Sequence, residues 1–333
     1  MLRVAVIGLG YWGPNLLRNF AAADDVQVVT ACDQDPQRLA RALKLYPGVA
    51  GVTDFTAVLR DPGVDLVALA TPVHTHYPLV KAALQAGKHV LVEKPLTNSI
   101  AHAEELAALA QAKGRVLLVD HTFVYHPAVE KIQNVIRSGD LGDIWYYDSV
   151  RINLGIFQHD VSVLWDLAVH DLALMTHLIA PPVEWVQAAG ARHAGQELES
   201  IAYVTVQFAG SVLGHVHVNW LSPVKVRQII LGGSKRMLVY DDNLVTEKVK
   251  IYDRGVDVKT PEGLHQALVQ YRMGDMYAPA LSVEEALRRM VNHCVDCCRT
   301  GRTPLPGGSA GLRVVRILVA AEKALKSGLR EKV

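Results

Sequence analysis

The sequence has 333 residues, half of them apolar and a fifth charged, and a globular chain of this length is expected to form two domains. Its 34 Lys and Arg residues nearly balance its 33 Asp and Glu residues, so the formal charge of +1 gives no reason to expect nucleic acid or an anionic membrane as a partner. No uncharged apolar run reaches the ~18 residues of a membrane span, and the chain begins on a strand pattern without a leader segment, so we expect a cytoplasmic protein.

The first part of the chain alternates short apolar segments with amphipathic ones. Apolar segments bounded by turn residues are typical of strands buried on both faces, and the segments between them have helical periodicity. Ser99 lies where a helix N-cap is expected, and Gly87 and Gly114 lie where helices would end. This order predicts a parallel sheet covered by helices. The predicted strands are 4–7, 26–32, 66–70, 89–92 and 115–119, and the predicted helices are about 14–23, around 38–43, 77–86 and 99–113.

The second part of the chain is richer in strands. Several of them alternate apolar and polar residues, as in Gly214–Trp220, which is typical of an antiparallel sheet with one face buried and the other open. We expect the domains to be residues 1–122 and 123–333. The predicted strands are 144–152, 185–191, 201–208, 212–220, 227–231, 236–240 and 245–252, and the predicted helices are about 127–138, 164–179, 282–299 and 310–327.

The cysteines favour a reducing compartment. Three of the four, Cys294, Cys297 and Cys298, lie within five residues, which is too close to link distant parts of a large fold. A structural zinc site would need a second, distant pair of ligands, and the sequence has none. We therefore expect buried, reduced thiols and no metal site.

A glycine-rich segment predicts a dinucleotide site. Gly8-Leu9-Gly10-Tyr11-Trp12-Gly13 follows the first strand and opens a helix, with the spacing G-x-G-x-x-G. Gly8 would permit the tight turn, Gly10 the approach of the diphosphate, and Gly13 the close packing of helix on strand. Asp33, at the end of the second strand, would bind the ribose hydroxyls and repel a 2′-phosphate, which favours NAD over NADP, although the nearby Arg38 could soften that preference. Residues expected to contact NAD here are Gly8, Gly10, Tyr11, Trp12, Gly13, Asp33 and Arg38.

A second candidate site follows the fourth predicted strand, at Glu93-Lys94-Pro95. In open parallel sheets ligands bind beyond the carboxyl ends of the strands, so Glu93 and Lys94 are expected beside the cofactor. A lysine there could polarise a hydroxyl or carbonyl oxygen.

These motifs together resemble the glucose–fructose oxidoreductase/inositol dehydrogenase (Gfo/Idh/MocA) family. The resemblance is carried by Gly8–Gly13, Thr71-Pro72 with His76, Glu93-Lys94-Pro95 and Trp165–Asp171, and it extends over essentially the whole chain. It implies an α/β Rossmann domain followed by an α+β domain with an open-faced, mostly antiparallel sheet for substrate binding and oligomer contacts. It also implies hydride transfer between NAD and a sugar or cyclitol hydroxyl carbon, cofactor contacts from Thr71, Pro72, His76, Glu93 and Lys94, and a cis peptide bond at Lys94-Pro95.

The resemblance assigns Asp166 and His170 to catalysis together with Lys94. Four residues apart on a predicted helix, Asp166 and His170 project from one face. Histidine suits proton transfer because its ordinary pKa lies near neutrality. We expect His170 to accept the hydroxyl proton, Lys94 to orient the oxygen, and Asp166 to hold the substrate or orient the base. Asp171 and His177 are expected to be structural.

Two segments depart from the family pattern, namely Asp120–Pro127 and His159–Trp165, so the substrate is expected to differ from that of inositol enzymes. The sequence around Trp12, His121 and Trp165 most resembles that of enzymes that oxidise a UDP-N-acetylhexosamine at C3. The alternatives are an inositol or simple sugar dehydrogenase, an NAD-dependent glycosidase, a reductase of another kind, and a non-catalytic NAD-binding redox sensor. We expect a homodimer or homotetramer. The expected substrate contacts are Lys94, Tyr125, Arg151, Asn153, Asp166 and His170.

Overall fold

The computed structural model describes four stretches of the chain, residues 1–155, 161–195, 197–257 and 270–333. The segment His159–Trp165, which departs from the family pattern, therefore lies partly outside the described residues. In the described part of the chain, no helix is both long and apolar enough to cross a membrane.

Contacts within the chain divide it into two compact units, each of which draws on two segments. The first unit comprises Met1–His126 and Glu284–Val319, and the second comprises Pro127–Val283 and Ala320–Val333. The boundary between residues 122 and 123 stays a prediction from sequence.

Strands and helices alternate through the first unit, and strands dominate the second. The strands are β1 Leu2–Ile7, β2 Val26–Cys32, β3 Ala50–Val52, β4 Leu66–Leu69, β5 His89–Glu93, β6 Leu117–Asp120, β7 Ile144–Leu154, β8 Val183–Ala191, β9 Ile201–Phe208, β10 Leu213–Asn219, β11 Leu221–Gly233, β12 Met237–Asp241, β13 Val249–Asp257, β14 Gln270–Tyr277 and β15 Glu331–Lys332. The α-helices are α1 Gly13–Ala21, α2 Pro36–Leu45, α3 Phe55–Arg60, α4 Val73–Gln85, α5 Ile100–Ala112, α6 Pro127–Arg137, α7 Val169–Leu178, α8 Ala286–Thr300 and α9 Gly308–Ser327.

The first unit is built on a parallel sheet of six strands in the order β3-β2-β1-β4-β5-β6. Every residue of β4 and β6 is buried, as expected for strands covered on both faces. Helices α2 and α5 begin at capping side chains: Asp35 accepts hydrogen bonds from the first turn of α2, and Ser99 accepts one from that of α5. The predicted Rossmann domain is confirmed.

The second unit is built on a sheet of nine strands in the order β14-β13-β12-β11-β7-β10-β9-β8-β15. Only the pairing of β10 with β7 is parallel among the described pairs. Alternate residues of β9, from Ala202 to Phe208, are buried, while the residues between them are partly or fully exposed. One face of the sheet is therefore covered and the other is open, and the predicted mostly antiparallel sheet is confirmed.

Several local predictions were wrong. The three-residue strand β3 and the six-residue helix α3 were missed, because such short segments give too little periodicity to detect. Helix α4 begins at Val73 and not Tyr77, since Pro78 is accommodated inside the helix. Residues Leu164–Ala168 form a π-helical turn before α7, where one continuous α-helix was expected. Strand β14 was also missed.

Candidate active site

The glycine-rich loop connects β1 to α1 at the carboxyl edge of the first sheet. Gly8 has a φ of +84°, and a Cβ atom there would lie 2.5 Å from the carbonyl oxygen of Ala70. A Cβ atom on Gly13 would lie 1.8 Å from the carbonyl oxygen of Gly8. Beside Gly10 the nearest atom would be Arg38 Nη1, at 3.7 Å, so this side of the loop is open. The loop therefore has the close packing and the free space that a bound diphosphate requires.

Asp33 follows β2 and is tied to this loop. Its Oδ2 accepts a hydrogen bond of 2.6 Å from the backbone N–H of Leu9, and its Oδ1 accepts one of 2.8 Å from the N–H of Asp35. A carboxylate has about four lone-pair sites, so each oxygen keeps capacity for a ribose hydroxyl. Arg38 is about half exposed and pairs with Asp35 at 3.3 Å. Tyr11 extends into solvent, with 93% of its surface exposed.

Residues after β4 support the loop that carries Lys94. His76 is buried on α4, with Nδ1 2.9 Å from the carbonyl oxygen of Pro95 and Nε2 2.8 Å from that of Thr71. Burial lowers the pKa of His76, while these backbone contacts oppose the shift. The Lys94-Pro95 peptide bond is cis, as predicted. The position of His76 favours a role in holding the loops after β4 and β5, with Thr71 and Pro72 at the start of α4.

Two carboxyl groups meet below this loop. The Glu93 carboxyl is buried, accepts a hydrogen bond of 3.2 Å from the N–H of Lys94, and is hydrogen bonded to Asp120. Burial raises the pKa of Glu93 well above its ordinary value, and the charge of Asp120 adds to the shift. Glu93 Oε1 receives no hydrogen bond from any donor in the described residues. A protonated Glu93 that donates to Asp120 explains these observations.

Asp120 also binds the indole of Trp12. Trp12 Nε1 donates a hydrogen bond of 2.9 Å to Asp120 Oδ2, and the Thr122 hydroxyl donates to Oδ1. The glycine-rich loop is thus connected to the end of β6. Asp120 was not predicted as a site residue, although an acid directly after the predicted strand 115–119 was a signal for it.

His121, the next residue, was also missed. It is buried, and neither ring nitrogen has a hydrogen-bond partner among the described residues. Burial lowers the pKa of His121 to about 3, and the positive charge of Lys94 contributes to the shift. A neutral imidazole therefore faces the lysine at neutral pH.

In the second unit, Asp166 and His170 lie at the start of the helical segment. Asp166 belongs to the π-helical turn, and its Oδ2 accepts a hydrogen bond of 3.3 Å from Trp220 Nε1. His170 is half-buried in the first turn of α7. Single π-helical turns are frequent at functional sites because they re-aim side chains on a helix.

Two of the residues predicted to bind substrate, Arg151 and Tyr125, contact other residues of the protein. Arg151 is buried on β7 and forms an ion pair of 2.6 Å with Asp171, which is compatible with the structural role predicted for Asp171. The Tyr125 hydroxyl donates to the carbonyl oxygen of Leu305 at 2.7 Å. Neither Arg151 nor Tyr125 has a part in the function proposed below. Asn153 is half-buried near the end of β7, on the same side of the strand as Arg151.

Comparison with protein families assigns both halves of the chain. The profile described as "Oxidoreductase family, NAD-binding Rossmann fold" of GFO/IDH/MocA matches residues 2–121. The profile described as "GFO/IDH/MocA C-terminal domain" matches residues 129–239.

Individual relatives agree with this assignment. The UDP-N-acetylglucosamine 3-dehydrogenase of Acidithiobacillus ferrooxidans is 26% identical over 346 aligned positions, which cover 99% of each chain. Several other curated relatives match over less than two thirds of their own length, in one case 42%.

Two solved structures share the fold over nearly the whole chain. A protein from Magnetospirillum magnetotacticum described as an oxidoreductase is 31% identical, with a TM-score of 0.81, over 96% of this chain and 99% of that one. The WlbA dehydrogenase of Bordetella pertussis, solved with NADH and UDP-GlcNAcA, is 19% identical, with a TM-score of 0.84, over 100% of this chain and 97% of that one. The two consecutive profile matches and these full-length similarities show that the chain belongs to the GFO/IDH/MocA family of NAD-dependent oxidoreductases.

Proposed function

We propose that this enzyme oxidises a hydroxyl-bearing carbon of a sugar, and that its substrate is a nucleotide sugar, a UDP-N-acetylhexosamine oxidised at C3. The position of Lys94 is the observation that most supports this proposal. Lys94 follows β5 at the same edge of the sheet as the glycine-rich loop, where ligands of open parallel sheets bind. His121 is neutral and Glu93 is protonated. Asp120 is therefore the ionised member of the buried Glu93–Asp120 pair near Lys94.

The reaction divides into a hydride transfer and a proton transfer. Bound NAD supplies the hydride acceptor, and the protein must take the proton of the hydroxyl group as the hydride leaves carbon. We assign that proton to His170, because imidazole titrates near neutrality. Lys94 donates hydrogen bonds to the same oxygen and stabilises its developing negative charge.

Asp166 is assigned to hold the substrate or orient His170. The hydrogen bond from Trp220 Nε1 fixes one carboxylate oxygen of Asp166. A carboxylate that is anchored through one oxygen binds a hydroxyl group with little loss of side-chain entropy.

The full-length similarity to a UDP-N-acetylglucosamine 3-dehydrogenase supports the choice of substrate. The segment that begins at Asp120-His121, which we expect from the sequence to depart from the family pattern, supports a substrate other than inositol. A nucleotide sugar is also larger than a simple sugar, and its UDP group would supply binding energy away from the reacting carbon.

We also propose that the open face of the second sheet joins copies of the chain into a homodimer or homotetramer. Tyr203 and Leu213 on neighbouring strands are exposed, and the Tyr203 ring stacks on His217 with 4.4 Å between centroids. Light scattering on the wild type and on a Tyr203→Asp, Leu213→Asp variant measures the mass of the assembly. A monomeric wild type would contradict this part of the proposal.

The function is tested by following NADH formation from NAD with UDP-N-acetylglucosamine, UDP-N-acetylgalactosamine, inositol and free glucose. We expect turnover with a UDP-N-acetylhexosamine and little with the other two compounds. Turnover with inositol or glucose alone would indicate that the substrate is a simple polyol and not a nucleotide sugar. Release of a sugar without net NADH would indicate a glycosidase. Tight NADH binding without turnover of any of these compounds would support a redox sensor instead.

Lys94→Ala tests the site. Loss of one charged hydrogen-bond donor at the reacting oxygen is expected to lower kcat/KM roughly 10²- to 10³-fold. Lys44→Ala, which removes an exposed lysine from α2, is the matched control and should retain full activity. Full turnover by the Lys94→Ala protein would contradict the assignment.

A further inference from the structure

The indole of Trp12 links two segments that follow distant strands of the first sheet. Trp12 lies in the glycine-rich loop after β1, where it is the N-cap residue of α1. Its Nε1 donates the 2.9 Å hydrogen bond to Asp120, the last residue of β6. Strands β4 and β5 lie between β1 and β6 in the sheet, so β1 and β6 are three spacings, or roughly 14 Å, apart. The contact therefore crosses the carboxyl ends of β4 and β5, the edge at which ligands of such sheets bind.

Asp120 is placed to hold other side chains and not to contact a ligand. It is 2% exposed. Its Oδ2 accepts the indole N–H, its Oδ1 accepts the Thr122 hydroxyl, and Glu93 is hydrogen bonded to the same carboxyl group. A carboxylate has about four lone-pair sites, so these three partners occupy most of its capacity. Asp120 is therefore suited to fix the positions of its neighbours.

Glu93 connects Asp120 to the backbone of Lys94. The pairing of β5 with β6 places Glu93 directly opposite Asp120. Glu93 Oε2 in turn accepts the hydrogen bond of 3.2 Å from the backbone N–H of Lys94. A change at Asp120 is thus transmitted to the peptide group that carries the proposed catalytic lysine.

Stability alone does not require this network. Apolar side chains of the same shape can replace both partners of a buried hydrogen bond at little cost, whereas a buried acid without a partner is costly. Burial and the charge of Asp120 raise the pKa of Glu93 well above its ordinary value. The chain therefore keeps two buried acids at the point where the glycine-rich loop meets the loop of Lys94.

We propose that Asp120 is a positioning residue for the dehydrogenase reaction. Through Trp12 it holds the glycine-rich loop, and through Glu93 it holds the backbone of Lys94. This inference rests on the proposed function, because it takes the loop as the NAD site and Lys94 as the group that acts on the substrate. A loop that is already ordered binds the coenzyme without the entropy cost of ordering it. Since both connections end on one carboxylate, the affinity for the coenzyme and the order of the Lys94 backbone depend on the same residue.

Calorimetric titration with NADH tests the connection to the loop and needs no substrate. Trp12→Phe keeps an aromatic ring but removes the donor, and it is expected to weaken NADH binding about tenfold, as for the loss of one hydrogen bond to a charged group. Asp120→Leu should weaken binding at least as much. Because Trp12 acts through Asp120, adding Trp12→Phe to Asp120→Leu should change the affinity by less than about twofold. Trp145→Phe, which alters an exposed tryptophan of the second unit, is the matched control and should bind NADH as the wild type does.

Asp120→Asn separates positioning from general loss of structure. Its amide oxygen can still accept the indole N–H, and its amide nitrogen can donate to Glu93. This variant should therefore bind NADH several-fold more tightly than Asp120→Leu. Thermal unfolding of each variant supplies the comparison with stability. A lower melting temperature with unchanged NADH affinity in Trp12→Phe would show that the hydrogen bond is only structural and would overturn the proposal.

Hydrogen exchange of the Lys94 amide tests the second connection, again without a substrate. In Asp120→Leu the Glu93 carboxyl loses its partner and no longer fixes the Lys94 N–H. We expect this amide to exchange roughly tenfold faster than in the wild type, as for the loss of one protecting hydrogen bond. Asp120→Asn should exchange more slowly than Asp120→Leu. Equal exchange in the wild type and Asp120→Leu would overturn this part of the proposal.

Turnover of the sugars separates this inference from the proposed function. With an active sugar, Trp12→Phe should raise mainly the KM for NAD, whereas Asp120→Leu should also lower kcat. A wild type that oxidises none of the sugars would refute the proposed function, and the NADH titrations would still decide the role of Asp120. Additive effects of Trp12→Phe and Asp120→Leu on NADH affinity would overturn the inference whatever the substrate.

Discussion

The buried ion pair between Arg151 and Asp171 allows the two roles considered for Arg151 to be separated by stability measurements. The side chains are 5% and 2% exposed, and the closest N–O distance is 2.6 Å. Removal of one member of a buried pair leaves the other charged and unpaired, which costs about 3–5 kcal/mol. Arg151→Met should therefore lower the free energy of unfolding by about that amount.

The assay is urea unfolding of the wild type, Arg151→Met, Asp171→Leu and the double variant, followed by circular dichroism. Because the double variant contains no unpaired charge, we expect it to recover a large part of the loss, with a coupling energy of about 2 kcal/mol or more. A matched control is Arg192→Met, which breaks an exposed ion pair and should cost less than about 1 kcal/mol. If Arg151→Met leaves stability unchanged and raises only the KM for the sugar, Arg151 is a substrate ligand and the structural interpretation fails.

Two further predictions concern the first unit. Gly13→Ala should weaken both folding and NADH binding, because its Cβ atom would overlap the Gly8 carbonyl, whereas Gly10→Ala has room for its Cβ and should lose affinity for NADH alone; equal melting temperatures for the two variants would refute this contrast. The pKa of His121 is lowered to about 3 in the folded protein, so below pH 6.5 the unfolded chain binds the proton and the stability contributed by the neutral imidazole is lost. Between pH 6.5 and 5 the free energy of unfolding of the wild type should fall by about 2 kcal/mol more than that of His121→Gln. Parallel urea titrations measure both values, and an equal fall in the two proteins would show that the folded protein can protonate His121.

The features that could be predicted from sequence are those determined by nearby residues. Gly8, Gly13 and Asp33 were identified because a turn, a helix start and a strand end each have a local signature. The pairing of Trp12 with Asp120 joins residues 108 positions apart, so no window of sequence contains it. The sequence of β7 likewise could not show that Arg151 is buried against Asp171 of α7.

The π-helical turn at Leu164–Ala168 illustrates a different limit. Its apolar residues fit an α-helical pattern as well as a π-helical one, since both bury the same side over a single turn. The choice depends on packing and on contacts such as the hydrogen bond between Trp220 and Asp166. These are tertiary interactions, which override the weak local preferences of a short segment.

The hydrogen bond from Leu9 to Asp33 has a consequence for redesign of the coenzyme preference. The carboxylate that we expect to discriminate against a 2′-phosphate is also an acceptor for the loop that we expect to bind the diphosphate. Selectivity and affinity are therefore coupled at one side chain, and exchange of Asp33 for an apolar residue would leave the Leu9 N–H without its partner. A variant enzyme that uses the phosphorylated coenzyme must keep a hydrogen-bond acceptor at residue 33 and obtain its new cation elsewhere, and Arg38 already lies next to the open side of the loop.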